Sequence, residues 1–401
     1  MNTIICLSFI LCLCAIQGIQ HAKLPAEQLP MIFLPGVGGS QAYCYLREGN
    51  RTQSALIWVN LWYLMFQLTV AKQLELRFDP ATGTTSDIGP CKIVFPGWGQ
   101  TWTIENMDTC KHTATVYFEY LVSAVRKDPF YVSGRTLRGA PYDFRKDPYE
   151  NETFVSKMKN LVEETYRNAG GRRIVLLGHS LGALYGLHFL RGVSDEWKKK
   201  YINTFLSVSG PLGGSVKAML SESFGNNFGI PLRSPLDFRP IARSMTTTAF
   251  LLPDERIWPA SVPLMITPTR NYSSNDYEHF FRDMNYTIGY QMYLDIKNRF
   301  DGFKAPTGVD EIYCVHGTQV DTPHQIIYLP PTDSRPPFPD QTPHLLMGDG
   351  DGTVDLKSLQ ICHKWPGVKT VTFPGASHRR ILGDSRMIHL IYQVAGVKPM
   401  K

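Results

Sequence analysis

The clearest hydrophobic pattern in the chain is a four-residue apolar run, Ile174 to Leu177, that passes into Gly178-His179-Ser180-Leu181-Gly182 and then into an apolar helical run ending at Leu190. A short unbroken run opened by β-branched Ile174 and Val175 reads as a buried strand, and the glycine-flanked segment after it as a sharp turn into a helix. Just upstream, between Glu150 and Ala169, Phe154, Met158, Leu161, Val162 and Tyr166 recur at spacings of three and four, and Gly170-Gly171 stops the pattern. An amphipathic helix therefore leads into that strand. Met31 to Leu34, Thr204 to Ser209, Glu311 to Val315 and Thr370 to Phe373 read as further strands, and Ser385 to Val394 as a closing helix. Strands alternating with helices predict an α/β fold with a mostly parallel sheet.

Other stretches break this rhythm. Ser54 to Ala71 carries no charge over eighteen residues and includes Trp58, Trp62, Tyr63 and Phe66. Its length would admit a membrane span, but one span there would put the Pro35 to Ser40 loop and Ser180 on opposite faces of the bilayer. A buried core helix, or an apolar patch that dips into the lipid interface, fits better, and tryptophan and tyrosine rings suit the interface. From Ser215 to Phe300 the chain is rich in Ser, Thr, Asn, Pro and aromatics without a clean period, which predicts an inserted cap whose loop serves as a lid. Phe95 to Asp108 and Leu137 to Arg145 read as loops.

Composition sets the compartment. Ile4 to Ile16 is an apolar run too short to span a bilayer, followed by Gln17, Gly18 and Ala22, so residues 1–22 read as a secretory signal. Its removal leaves Cys44, Cys91, Cys110, Cys314 and Cys362, enough for two disulfides and one thiol in pairings the spacing does not fix. Sequons at Asn50, Asn151, Asn271 and Asn285 agree with the secretory route. The net charge of +6 is spread without a run of five like charges. That gives no nucleic-acid footprint but suits an anionic lipid surface.

The chemistry is carried by G-x-S-x-G in its strand–turn–helix context, which presents the Ser180 hydroxyl and lets the Leu181 N–H bind an oxyanion. Pro35 to Ser40 comes after a strand and reads as a second source of oxyanion N–H groups; a dinucleotide loop would need glycine at Gln41. Serine needs a base, and the base needs a carboxylate to hold its tautomer. After the acidic stretch Gly348 to Asp355, only His363, His378 and His389 remain, and His378 alone occupies a loop after a strand. Spacing leaves Asp349 and Asp351 equal as the acid. A calcium loop there would need glycine at Val354 and glutamate at Gln360, so no metal is called for.

Taken together, the chain resembles the lecithin:cholesterol acyltransferase family, most of all its lysosomal phospholipase A branch. The resemblance lies in PG-x-x-G at Pro35 to Gly39, PGWG at Pro96 to Gly99, APYDFR at Ala140 to Arg145 and GHSLG at Gly178 to Gly182. It continues in GPLGGS at Gly210 to Ser215, TPTRNY at Thr267 to Tyr272, GDGDGTVDLKS at Gly348 to Ser358 and Ser377-His378. It implies an α/β-hydrolase core over 23–44, 76–212 and 301–401, a membrane-binding subdomain over 45–75 and a cap with a lid over 213–300. It also implies Asp351 as the acid, Val37 and Leu181 as the oxyanion hole, and a Cys314–Cys362 disulfide. The implied activity is a serine phospholipase A and lipid O-acyltransferase without a cofactor. It would work at a phospholipid membrane or lipoprotein surface, lysosomal or extracellular, and pass an acyl chain to water or to a lipid alcohol such as ceramide or a sterol. A lipid-binding protein of the same fold without turnover, and a soluble carboxylesterase, are the competing expectations. Three positions depart from the family: Val37 stands where the lysosomal branch has aspartate, Ala71-Lys72 where a cysteine is expected, and Leu212 where a tryptophan is.

Overall fold

Ile174–His179 forms a strand buried at every position, as a run apolar toward both faces requires. In the computed structural model, described for residues 27–48, 51–230, 232–297 and 299–399, it lies inside a six-stranded sheet whose paired strands are all parallel. The spatial order is Lys369–Pro374, Glu311–Thr318, Ile202–Val208, Ile174–His179, Met31–Leu34 and Leu137–Gly139. The signal segment and the sequon at Asn50 lie outside the described residues.

Alternation along the strands divides the core into two layers. Ile32, Leu34, Ile174 and Leu176 pack on one face with the helices Phe154–Asn168 and Leu181–Arg191. Met31, Phe33, Val175 and Leu177 pack on the other with Glu119–Val125 and Ser385–Ala395. Each fully buried Leu, Ile or Val there contributes on the order of 1.5–3 kcal/mol, so the sheet is a rigid platform for the loops at its C-terminal edge.

Three stretches differ from the reading of the sequence. Leu137–Gly139, expected as loop, is the edge strand beside Met31–Leu34; at three residues it is too short to show a period. Phe95 to Asp108 contains one helical turn, Trp102–Glu105, and is not loop throughout. The uncharged run from Ser54 is neither a span nor one helix: it finishes the strand Arg51–Trp58 and then makes two short helices, Leu61–Phe66 and Leu68–Ala71. Among the described residues no helix is long and apolar enough to cross a membrane.

Residues of the stretch expected as a cap share a separate hydrophobic cluster, with Val216, Met219, Trp258, Tyr272 and Phe280 joined by Ile326. A four-stranded sheet pairs Asn271–Tyr272 and Met265–Ile266 with Thr322–Ile327 and His344–Gly348. This cluster and sheet take in residues on both sides of position 300, the end expected for the cap. Two of these strands are only two residues long, and His344–Gly348 is largely exposed, so no alternation marks them.

Candidate active site

At the C-terminal end of Ile174–His179 the chain turns through Ser180, at φ 56 and ψ −127, into the helix Leu181–Arg191. That conformation is strained for a residue with a side chain. Flanking glycines permit it: a Cβ on Gly178 would lie 2.4 Å from the Gly182 carbonyl oxygen, and one on Gly182 2.2 Å from that of Leu34.

The loop after Lys369–Pro374 brings His378 to this turn. Its Nε2 lies 2.9 Å from Ser180 Oγ and its Nδ1 2.7 Å from Asp351 Oδ2. Asp351 is fully buried, and its second oxygen accepts the N–H groups of Thr353 and Val354 at 3.1 and 2.9 Å. Burial pushes this carboxyl up, but the His378 ring and those N–H groups outweigh it and hold the group below the usual carboxylate range. A charged Asp351 accepts from Nδ1–H, which leaves Nε2 free to accept the Ser180 O–H. The structure thus separates the two acids that spacing could not. Asp349 Oδ1 accepts the Gln319 N–H at 2.6 Å and makes no bond to His378. Of the other histidines, His363 pairs with His316 and His389 with Gln393.

The Pro35 to Ser40 loop lies directly against the serine, since a Cβ on Gly36 would meet Ser180 Cβ at 2.7 Å. Val37 N–H has no backbone acceptor among the described residues, and Leu181, as the first residue of its helix, has none within the helix. Two cavities meet here, of about 560 and 230 Å³, and share Val37, Ser180, Lys217, Asn226, Phe228 and His378 in their walls.

Two site residues went unseen in the sequence. Tyr117 O–H donates to His179 Nδ1 and accepts the Gly36 N–H at 2.9 Å, and His179 Nε2–H donates to the His378 carbonyl at 2.7 Å. Burial first, then the neighbouring His378, drives the His179 imidazole down to about 3, so it is neutral and its tautomer is set by its two partners. His179 occupies a variable position of G-x-S-x-G, and Tyr117 sits in an aromatic stretch with no motif of its own.

Among the aromatic residues expected at a membrane, Trp62 and Phe66 are 61% and 50% exposed and Tyr63 is partly buried. Trp58 is a correction. It is buried, and its Nε1–H donates to the Gly38 carbonyl at 2.8 Å, because the strand Arg51–Trp58 aims it at the core rather than at solvent. Beside these residues the stretches 225–230 and 232–234 carry exposed Phe228 and Leu232; Phe228 packs edge-on against Trp58, and Arg233 donates to the Leu64 carbonyl. Cys314–Cys362 and Cys44–Cys91 are disulfides and Cys110 is free and exposed, which settles the open pairing. Asn271 and Asn285 are exposed and Asn151 is partly buried.

A serine on a strained strand–helix turn at the C-terminal edge of a parallel sheet, with a carboxylate and then a histidine after it in the chain, defines an α/β-hydrolase. Within that class the chain belongs to the lecithin:cholesterol acyltransferase family, whose family model matches residues 54–373. It is 32% identical to a "Lysosomal phospholipase A and acyltransferase" of Canis lupus familiaris, over 93% of each protein. It is 36% identical to a phosphatidylcholine-sterol acyltransferase of Mus musculus, over 86% of this chain and 79% of that one. Among solved structures, a chain of the Tle4–Tli4 complex shares the fold, with a TM-score of 0.54 at 12% identity, covering 92% of this chain and 98% of that one.

Proposed function

We propose that the chain is a serine phospholipase A and lipid O-acyltransferase. The observation that carries this is the 2.9 Å approach of His378 Nε2 to Ser180 Oγ where two largely apolar cavities meet. The activities named for its relatives favour the same reading. His378 takes the Ser180 proton as the oxygen attacks an ester carbonyl of a glycerophospholipid, and Asp351 stabilises the imidazolium. The N–H groups of Val37 and Leu181 meet the negative charge that gathers on the carbonyl oxygen. Collapse of this intermediate breaks the bond to the glycerol oxygen, which takes the proton from His378 and departs as lysolipid. An acceptor hydroxyl then gives its proton to His378 as its oxygen attacks the acyl-serine, and the bond to Ser180 Oγ breaks as that oxygen takes the proton back from His378. Water yields a fatty acid, whereas a lipid alcohol such as ceramide or a sterol yields an acylated lipid. Which product forms depends on which acceptor reaches the acyl-serine first, and the stretch 226–230, which lines the larger cavity, controls that access. These steps balance with side chains alone.

Trp62 and Phe66 dip into the surface of a membrane or lipoprotein and bring the cavity mouth to the lipid. The protein works along the secretory route, in the lysosome or outside the cell, with Asn151, Asn271 and Asn285 as glycan acceptors. Phospholipid vesicles incubated with the wild type and with Ser180→Ala test the reading. Fatty-acid release is expected to fall by about 10³-fold or more in the variant. Equal release from both would remove the mechanism, as would failure of a fluorophosphonate probe to label Ser180.

A further inference from the structure

The larger cavity at Ser180 has an unbalanced charge. Its wall holds one lysine, Lys217, and one arginine, Arg379, and no carboxylate. Most of the remaining wall is apolar, with Trp58, Leu61, Met65, Met107, Phe228 and Ile230. A cation in a largely apolar cavity is costly to the extent that it is withdrawn from water, which concerns Lys217 more than the exposed Arg379.

Among the described residues neither forms an ion pair with a carboxylate. Arg379 NH1 donates to the Ala114 carbonyl at 2.7 Å, and among the described residues Arg379 pairs with no carboxylate. Among the described residues its other guanidinium donors meet no protein acceptor, and the side chain is exposed. The Lys217 ammonium makes no ion pair or side-chain hydrogen bond among the described residues. Burial holds that ammonium below the usual lysine range, although the Asp351 charge partly offsets this.

Position makes the pair informative. Arg379 comes directly after His378 in the chain, and both line the cavity that opens onto Ser180. In a glycerophospholipid the phosphate is only a few bonds from the ester carbonyls. A lipid with its carbonyl at Ser180 and its chains along the apolar walls must leave its headgroup near the mouth of this cavity. A guanidinium presents its donors in a fork that fits two phosphate oxygens at once.

We propose that Arg379, with Lys217 deeper in the wall, forms an anion subsite that receives the headgroup phosphate and selects phospholipids whose headgroup bears net negative charge over zwitterionic ones. The subsite rests on the chain being a phospholipase. A choline headgroup places a fixed cation next to the phosphate, against Arg379, whereas a glycerol headgroup does not.

The test uses the full-length protein on vesicles containing equal amounts of phosphatidylglycerol and phosphatidylcholine with the same acyl chains. Both substrates then experience one surface potential, and the ratio of the two lysolipid products does not depend on how much protein is bound or folded. The wild type is expected to release lysophosphatidylglycerol in about three- to fivefold excess, the scale of one partly exposed ion pair. Arg379→Gln should bring the ratio close to one, Arg379→Glu should invert it, and Arg379→Lys should keep most of the preference. A merely structural bond to Ala114 would not track the sign of the charge in this way. Release of both lysolipids in a ratio indifferent to Arg379 overturns the subsite and leaves the phospholipase reading standing. Release of neither overturns both.

Discussion

His179 Nε2 donates to the backbone carbonyl of His378 at 2.7 Å, so the residue beside the serine holds the loop that carries its base. Through Tyr117 the same imidazole is joined to the Gly36 N–H. One buried chain of hydrogen bonds thereby spans the three loops from which attack, proton transfer and oxyanion binding are to come.

Tyr117→Phe keeps the ring and removes the hydroxyl, leaving the His179 Nδ1 acceptor and the Gly36 N–H donor without a partner. An unsatisfied buried group costs about 1–3 kcal/mol. The variant is expected to melt lower and to lose roughly tenfold in kcat, because the N–H groups of the Gly36-Val37 turn are no longer held against Ser180. Its KM should change little. A lower Tm with an unaltered kcat and an unaltered pH–rate profile would make Tyr117 a packing residue only.

The same imidazole gives a pH dependence whose sign can be worked out. His179 is held near 3 in the fold against an ordinary value of 6.5, so between those limits the unfolded chain binds the extra proton. Its contribution is complete above about 6.5 and is lost as pH falls toward 3. His188, lowered to about 4 by burial and by Arg191, acts in the same direction, whereas buried Glu222, raised by desolvation, acts against them. A whole-protein melt therefore mixes signs, and the His179→Gln variant isolates one. Its Tm deficit relative to wild type should be largest at pH 7.4 and shrink by pH 4.5. A deficit that stays constant would mean that His179 does not titrate as described.

Asp351 and Asp349 offer a controlled pair two residues apart. Asp351→Asn keeps the shape but removes the charge that holds His378, and activity should fall by about 10³- to 10⁴-fold. Asp349→Asn should cost less than about tenfold, because Asp349 serves the Gln319 N–H and not the imidazole. Comparable losses in both, with both folded by near-UV circular dichroism, would mean that the acid has been assigned to the wrong residue.

How much can be seen in the sequence is set by the range of the forces involved. Ser180 and His378 are readable because each depends on a local context, strand then turn then helix for one and a loop after a strand for the other. Asp349 and Asp351 are not separable from spacing, since the choice rests on burial and on the N–H groups of Thr353 and Val354. Tyr117 leaves no trace because its partners lie 62 and 81 residues away. Most of the parallel sheet announces itself through apolar runs, but its three-residue edge strand and the cap's two-residue strands fall below the length at which a period can be recognised.

Trp58 and Trp62 are four residues apart in one uncharged run, yet the structure gives them opposite environments. Trp62 is 61% exposed on a short helix, where its ring can exchange water for lipid; Trp58 is 4% exposed and fixes the Gly38 carbonyl beside the serine. Trp62→Ser should therefore weaken vesicle binding, by roughly tenfold for the area of one indole, while leaving cleavage of a soluble monomeric ester and the Tm close to wild type. Trp58→Ala should do the reverse. Deleting a buried indole costs about 3–5 kcal/mol, and the Gly38 turn loses its anchor, so Tm and monomeric ester cleavage both fall. Vesicle flotation, thermal melting and a soluble-ester assay on the two variants separate the roles. If Trp62→Ser lost soluble-ester cleavage along with vesicle binding, the short helix would belong to the cavity wall, and the face that meets the lipid would have to lie elsewhere.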